Sequence, residues 1–221
     1  MKRRRVLKSL AVTGTGTLGA VAGCLGGALD PNPNVTLDQP EEYSDKYPYR
    51  NWNDRLPDVT VPAPTDGKSI SIREIDTPVL TTFFFSHCRT VCPLLVGALQ
   101  KVQMDSIKNG YADSVTFVPI TFDPARDDAK RLEAYTEKMN IATDVDNWKF
   151  LRPESEQRAK EVIQKKFGVK FKKDPMENND GYMFTHTMVV VLANADGYVE
   201  RAYRERSPNT EQIIDDLKKL R

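Results

Sequence analysis

A charge imbalance is what this chain most plainly lacks: 32 lysines and arginines face 31 aspartates and glutamates, a formal net charge of +1. Such a balance leaves no electrostatic footprint for nucleic acid, so no nucleic-acid partner is expected. Long apolar runs are lacking too. The best candidate, Val6 to Leu25, is short and carries several Gly and Thr, whereas a membrane-spanning helix wants about 20 predominantly apolar residues. No internal repeat is visible. Histidine is reduced to His87 and His186, and with Cys24 set aside, Cys88 and Cys92 are the only cysteines. Any chemistry that thiol and imidazole support in the body of the chain must use those four residues.

What is present begins with an export signal. Arg4 and Arg5, within Lys2-Arg3-Arg4-Arg5-Val6-Leu7-Lys8, resemble a twin-arginine element, and the Gly- and Ala-rich stretch behind them ends in Val21-Ala22-Gly23-Cys24, which looks like a lipobox. Residues 1–24 are therefore set apart from the fold, with Cys24 expected as the lipid-modified first residue of the mature chain. The protein is then exported and anchored by lipid to the outer face of the cytoplasmic membrane. An uncleaved anchor helix would leave it on the same side. The roughly 195 residues that follow suit one domain. Residues 25–57 are rich in Pro, Asn, Asp and Tyr with few aliphatics, which predicts a flexible tether unable to fold alone. The domain proper is expected over residues 58–221.

Within that domain, Asp58-Val59-Thr60-Val61 and Ser69-Ile70-Ser71-Ile72 alternate about Asp66-Gly67 and read as two short strands. Val79 to Phe85 is nearly continuous β-branched and aromatic sequence, as in a strand buried on both faces. Leu95, Leu99, Val102 and Ile107 then recur at helical spacing before the stop signal Asn109-Gly110. The alternation continues with a strand over 115–122, a helix over 128–139, a short strand over 148–151 and a helix over 153–167 closed by Gly168. An irregular charged insertion over 169–183 precedes a buried strand over 187–192, a turn at Asp196-Gly197 and a strand over 198–203. A final helix over 210–220 is expected to start from a capping box of Asn209 and Gln212. The pattern argues α/β architecture: a mixed sheet with helices on both faces.

Cys88 and Cys92 fall where the apolar strand gives way to a helix. Residues four apart share a helix face, so both thiols can approach one ion from the first turn. A helix N-terminus, helped by Arg89, is expected to lower both thiol pKa values. Thiolates are soft ligands that select Cu(I), and imidazole also suits copper. Thiolate is equally the form that attacks disulfides. By itself the pair is either a soft-metal clamp or a redox couple, and outside the cytoplasm its oxidation state is part of the function.

The run Cys88-Arg89-Thr90-Val91-Cys92-Pro93, the loop Asp123-Pro124-Ala125-Arg126-Asp127 and the lone His186 before Asp196-Gly197 come in an order and spacing that resemble the Sco (SenC) family of copper chaperones. The likeness spans most of Leu56 to Arg221. It implies a thioredoxin-like fold and a site for one copper ion made by Cys88, Cys92 and His186. It also implies delivery of that copper to the binuclear copper centre of a haem-copper (cytochrome c) oxidase. The partners would be that oxidase's copper-bearing subunit and a copper donor or thiol reductant. Asp123 and Arg126 match a family loop near the metal, where they either orient ligands or dock a partner; the competing reading is a helix-capping loop held by its own ion pair. His87 precedes Cys88, so its side chain should point away from the thiols. Two departures stand out: Arg89-Thr90 replaces Pro-Asp and Thr185 replaces an acidic residue found in many members. Losing rim carboxylates favours Cu(I) over Cu(II). Met104, Met176, Met183 and Met188 show no cluster spacing and are left out of the site.

The alternative is a thiol-disulfide oxidoreductase that reduces the oxidase subunit's copper-ligand cysteines. Only that reading makes the protein an enzyme. Against it, thioredoxin-type oxidoreductases resemble one another in a two-residue spacer and a facing cis-proline, whereas the spacer here has three residues and no proline lies between Asp180 and Ala202. A purely structural Cys88–Cys92 disulfide would close too small a loop to stabilise much.

Overall fold

The computed structural model describes residues 32–176 and 181–221. The export signal, Cys24 and the first part of the expected tether lie outside them. Among the described residues, no helix is long and apolar enough to cross a membrane.

The first hairpin pairs β1 (Thr60–Ala63) with β2 (Lys68–Ser71) about the expected turn, where Gly67 takes the left-handed conformation at φ 64°. β3 (Val79–Phe84) is the spine of the main sheet, and all six of its residues are buried. Its Thr81 and Thr82 hydroxyls donate to the carbonyls of Val118 and Val189, which settles the two polar groups inside this apolar strand. α1 (Cys92–Lys108) follows and buries Leu95, Val96, Leu99 and Val102.

The strand expected over 115–122 is divided into β4 (Thr116–Phe117) and β5 (Ile120–Thr121), both parallel to β3. Pro119 lies between them and has no N–H to give to a ladder. Residues 148–151 pair with this edge only through the bridges Phe117–Trp148 and Ile120–Leu151. α2 (Ala129–Lys138) is capped by the Asp128 carboxylate, which accepts from the Arg131 N–H. α3 (Glu156–Ala159) continues as π-helix through Lys166.

The segment expected as an irregular insertion is instead a hairpin of β6 (Phe171–Pro175) and β7 (Tyr182–His186). Its alternating Phe171 and Phe184 pack on Phe122 at ring distances of 5.1 and 5.0 Å, so one face is aromatic while the other carries charge. β8 (Val190–Ala193) returns antiparallel beside β3, β9 (Val199–Tyr203) completes the sheet, and α4 (Thr210–Lys218) closes the chain. Asn209 caps α4 by accepting from the Glu211 and Gln212 amides. The reciprocal half of the expected box is replaced, since the Asn209 N–H donates to Glu205 at 3.4 Å.

Residues 32–57 are not the free tether their composition suggests. Leu56 is fully buried, and Leu37, Tyr49 and Trp52 are nearly so. The segment runs as a belt across β9 and the end of the 156–166 helix. Its amides at Asn53 and Leu56 donate to the carbonyls of Val199 and Gly197, each at 2.8 Å, and the Arg50 amide donates to Phe167 at 3.0 Å. The buried Glu200 carboxylate accepts from the Thr36 and Leu37 amides and from the Asn194 side chain, at 2.9, 2.8 and 2.7 Å. Few aliphatics suffice when the backbone itself is bonded.

Candidate metal centre

The chain turns directly after β3, with the Cys88 N–H donating to the Phe85 carbonyl at 3.1 Å. α1 starts only at Cys92, with Pro93 in its first turn, where a missing N–H costs nothing. Cys88 therefore sits in a turn before the helix and not on its first turn, as the four-residue spacing had suggested. The thiols meet for a different reason. The first amides of a helix need acceptors, Val91 offers no side-chain cap, and Cys88 Sγ accepts from the Cys92 N–H at 3.4 Å. Thr90 Oγ1 lies 3.6 Å from the same sulfur.

The two thiols are driven apart in acidity. Hydrogen bonding from the Cys92 thiol, joined by the Thr90 and Cys92 amides, holds the Cys88 thiol down to about 4 in spite of burial. Cys92 moves the other way, pushed up by its bond to Cys88 and by its burial. The expectation that both would be lowered is thus corrected. The exposed Arg89 is not among the groups that shift either one. At neutral pH the reduced pair is one thiolate and one thiol.

His186 is the last residue of β7, carried to the thiols by the β6–β7 hairpin and not by a central strand. Its Nε2 lies 3.5 Å from Cys92 Sγ. Its Nδ1 lies 3.0 Å from the Thr187 carbonyl, which can only accept, so Nδ1 carries the proton and Nε2 presents a lone pair toward the sulfur. Burial lowers the imidazole pKa and keeps it neutral. The Phe122 ring, 4.9 Å away, packs against the imidazole. Cys88 and Cys92 are both free thiols. Among the described residues, no three His, Cys, Asp or Glu side chains are already gathered at metal-holding distances. Cys88 Sγ accepts from the Cys92 amide and lies near the Thr90 hydroxyl, contacts that leave a thiolate sulfur further lone pairs for an ion.

His87 faces the other way, its Nδ1 3.2 Å from Ser86 Oγ and 3.7 Å from Asp127. That contact exposes residues which sequence reasoning passed over. Asp127 is wholly buried and accepts from the Ser86 amide at 3.1 Å, from the Ser86 hydroxyl at 2.5 Å and from the Thr121 hydroxyl. Burial raises its pKa against those bonds. Arg131 donates to Ser86 Oγ at 2.7 Å and to the Ser86 carbonyl at 3.0 Å. Together Asp127 and Arg131 fix the residue two places before Cys88. The only sequence signal was position, since Asp127 closes the loop that begins at Asp123.

Asp123 and Arg126 form the expected ion pair at 2.5 Å, yet the loop does more than cap a helix. Tyr182 donates to Asp123 Oδ1 at 2.7 Å, and Arg126 donates to the Tyr182 carbonyl at 3.1 Å while stacking 3.7 Å over its ring. The pair thereby fastens β7 near its start, four residues before His186. Neither side chain reaches the sulfurs through any hydrogen bond of its own.

A mixed sheet flanked by helices, with a cysteine pair at the start of α1 facing a histidine on a later strand, defines a thioredoxin-like protein. The chain belongs to the SCO1/SenC family, whose family model matches residues 64–221. Among curated relatives, the mitochondrial SCO2 homologue of Mus musculus is 27% identical over 141 residues, covering 64% of this chain and 52% of that protein. The Homo sapiens counterpart is 26% identical, with 64% and 50% covered. The chain thus spans about half the length of these relatives. Among solved structures, a SCO1/SenC family lipoprotein from Bacillus anthracis superimposes with a TM-score of 0.62 at 26% identity, over 77% of this chain and 95% of that one. ScoI of Bradyrhizobium japonicum, solved with copper bound, shares the fold with a TM-score of 0.60 at 23% identity, over 77% and 99%.

Proposed function

We propose that this protein is a copper chaperone that holds one Cu(I) through Cys88 Sγ, Cys92 Sγ and His186 Nε2 and hands it to the copper-bearing subunit of a haem-copper oxidase. The observation that carries this reading is the 3.5 Å contact of Cys92 with a histidine whose other nitrogen is committed to Thr187. It leaves a neutral nitrogen donor aimed at a thiol pair, a soft set matched to Cu(I). Similar proteins support it: yeast Sco1 was solved with copper bound, and BsSco is described as a member of the Sco family of cytochrome c oxidase assembly proteins. Copper here is cargo, and this function asks for no catalytic turnover.

The test is an anaerobic Cu(I) titration of the reduced full chain, with X-ray absorption on wild type and His186→Ala. One copper per chain with two sulfurs and one nitrogen is expected, and the variant should lose the nitrogen and about tenfold or more in affinity. Because Cys88 is already a thiolate, loading at pH 7 should release about one proton, from Cys92. Affinity should then fall about tenfold per pH unit below neutrality, as protons compete for Cys92, and more steeply below about 4, where Cys88 takes up its own proton. Affinity indifferent to His186 would remove imidazole from the site.

A second reading, thiol-disulfide exchange, is favoured by the depressed acidity of Cys88, which supplies an attacking thiolate. A disulfide switch is described for BsSco. Under that reading His186→Ala leaves exchange with a model disulfide at the wild-type rate and copper uptake is incidental. The place of action we propose is the outer face of the cytoplasmic membrane, held by a lipid on Cys24. Cys24→Ser should move the protein from the membrane to the soluble fraction after cell lysis; retention on the membrane would argue for another anchor.

A further inference from the structure

The sulfurs are closed to solvent, with Cys88 4% and Cys92 0% exposed. His186, by contrast, borders an open groove of about 600 Å³ whose walls include Gln164, Lys170, Phe171, Lys172 and Thr185. The chain around this groove breaks the even charge of the whole. Residues 160–173 hold six lysines and a single glutamate, in a protein whose net charge is only +1. All six lysines are exposed. The glutamate, Glu161, is taken by Arg158 at 2.9 Å, while Lys172 and Lys173 meet Asp174 and Glu156 at 2.6 and 2.8 Å. Among the described residues, no carboxylate pairs with Lys160, Lys165, Lys166 or Lys170.

We propose that this groove docks an acidic segment of the protein that exchanges copper with this chain. Carboxylates of that segment pair with Lys170 and Lys172, an apolar side chain seats on Phe171, and a soft donor is brought against His186 at the groove's edge. The inference rests on the copper reading above and names the chemistry of its partner. Charge complementarity of this kind steers encounter and fixes register more than it adds affinity. An anionic bilayer would also be attracted to the lysines, but an aromatic ring and a copper ligand set beside those charges fit a protein segment better than a lipid surface. Transfer is ligand exchange: partner donors bond to Cu(I) as Cys88, Cys92 and His186 release it, the copper stays Cu(I), and Cys92 recovers its proton.

The experiment loads reduced full-length protein with Cu(I), mixes it with the apo soluble domain of the same organism's oxidase copper subunit, and follows transfer by stopped flow at low and high salt. Lys170→Glu/Lys172→Gln is compared with wild type; glutamine avoids placing a new carboxylate beside Asp174. The variant should hold Cu(I) as tightly as wild type, yet transfer about tenfold or more slowly at low salt and lose the salt dependence that wild type shows. Equal rates and equal salt dependence would overturn the proposal. So would a variant that transfers normally but no longer binds phosphatidylglycerol vesicles, which would assign the lysines to the membrane. A wild-type chain that takes up no Cu(I) sinks the copper reading itself, and this proposal with it.

Discussion

Gly168→Ala is expected to cost about 4 kcal/mol of stability or more, a loss in the range reserved for mutations with a definite structural cause. The residue ends the 156–166 helix in the left-handed region, at φ +76°, and a Cβ built there would lie 1.6 Å from the Pro48 carbonyl oxygen and 2.8 Å from Tyr49 Cα. The conformation alone costs a non-glycine residue about 1–2 kcal/mol. The collision cannot be relieved by a small shift, because the next stretch of belt is tied to the same helix end: the Arg50 amide is bonded to the Phe167 carbonyl at 3.0 Å and its Nε to the Lys166 carbonyl at 2.9 Å. Admitting the methyl group means peeling away the belt here, and with it the burial of Tyr49 and Trp52, each side chain worth roughly 1.5–3 kcal/mol. Urea unfolding should show the loss directly, and the melting temperature should fall by about 10 °C, given roughly 2–4 °C per kcal/mol in a domain of this size. A wild-type melting curve would mean that the belt does not pass against Gly168.

Asp127→Ala is expected to cost about 3 kcal/mol and to weaken Cu(I) binding as well. It strips the acceptor from three buried donors, the Ser86 amide, the Ser86 hydroxyl and the Thr121 hydroxyl. Each orphaned donor carries a penalty of about 1–3 kcal/mol, partly regained by water entering the gap. Ser86 is held from both sides, by Asp127 and by Arg131, and the turn that presents Cys88 starts from the residue before it. Loosening Ser86 should therefore reach the thiols even though Asp127 touches neither. Asp127→Asn keeps the volume and one acceptor and should fall between alanine and wild type in both chemical denaturation and Cu(I) competition. An alanine variant with lowered stability but wild-type copper affinity would confine Asp127 to a folding role.

The parts legible in the sequence were those in which one residue pattern served one local purpose. The run from Val79 to Phe84 is buried on both faces and reads as such. α1 announces itself by apolar spacing and by Asn109-Gly110, with Gly110 at φ 71°. The β6–β7 hairpin was hidden because its outer face is charged: Lys172 and Asp174 pair with each other and Thr185 bonds Asp174, so the segment reads as a polar insertion while Phe171 and Phe184 face inward. The belt was hidden for the opposite reason. Val35, Leu37, Tyr49, Trp52 and Leu56 follow no helical or strand period, and the backbone partners of Leu37 and Leu56, Glu200 and Gly197, lie far along the chain. At the candidate site, sequence reasoning picked out the two cysteines and the histidine that the fold places near one another, but the turn that separates Cys88 from the helix could not be inferred from spacing; Pro93 was its one local sign.

The belt also constrains how the chain reaches its folded form. Thr36 is bonded to Glu200, 164 positions later, and the Arg50 side chain to Lys166, 116 positions later. Contacts so distant in sequence are slow to form, because a long loop must close before any of them contributes. As synthesis proceeds from the N-terminus, residues 32–57 emerge well before the helix end at Lys166–Phe167 and the β9 strand that they bond. The belt is thus made early, yet its bonds to Glu200 and Val199 cannot close until nearly the whole chain is available.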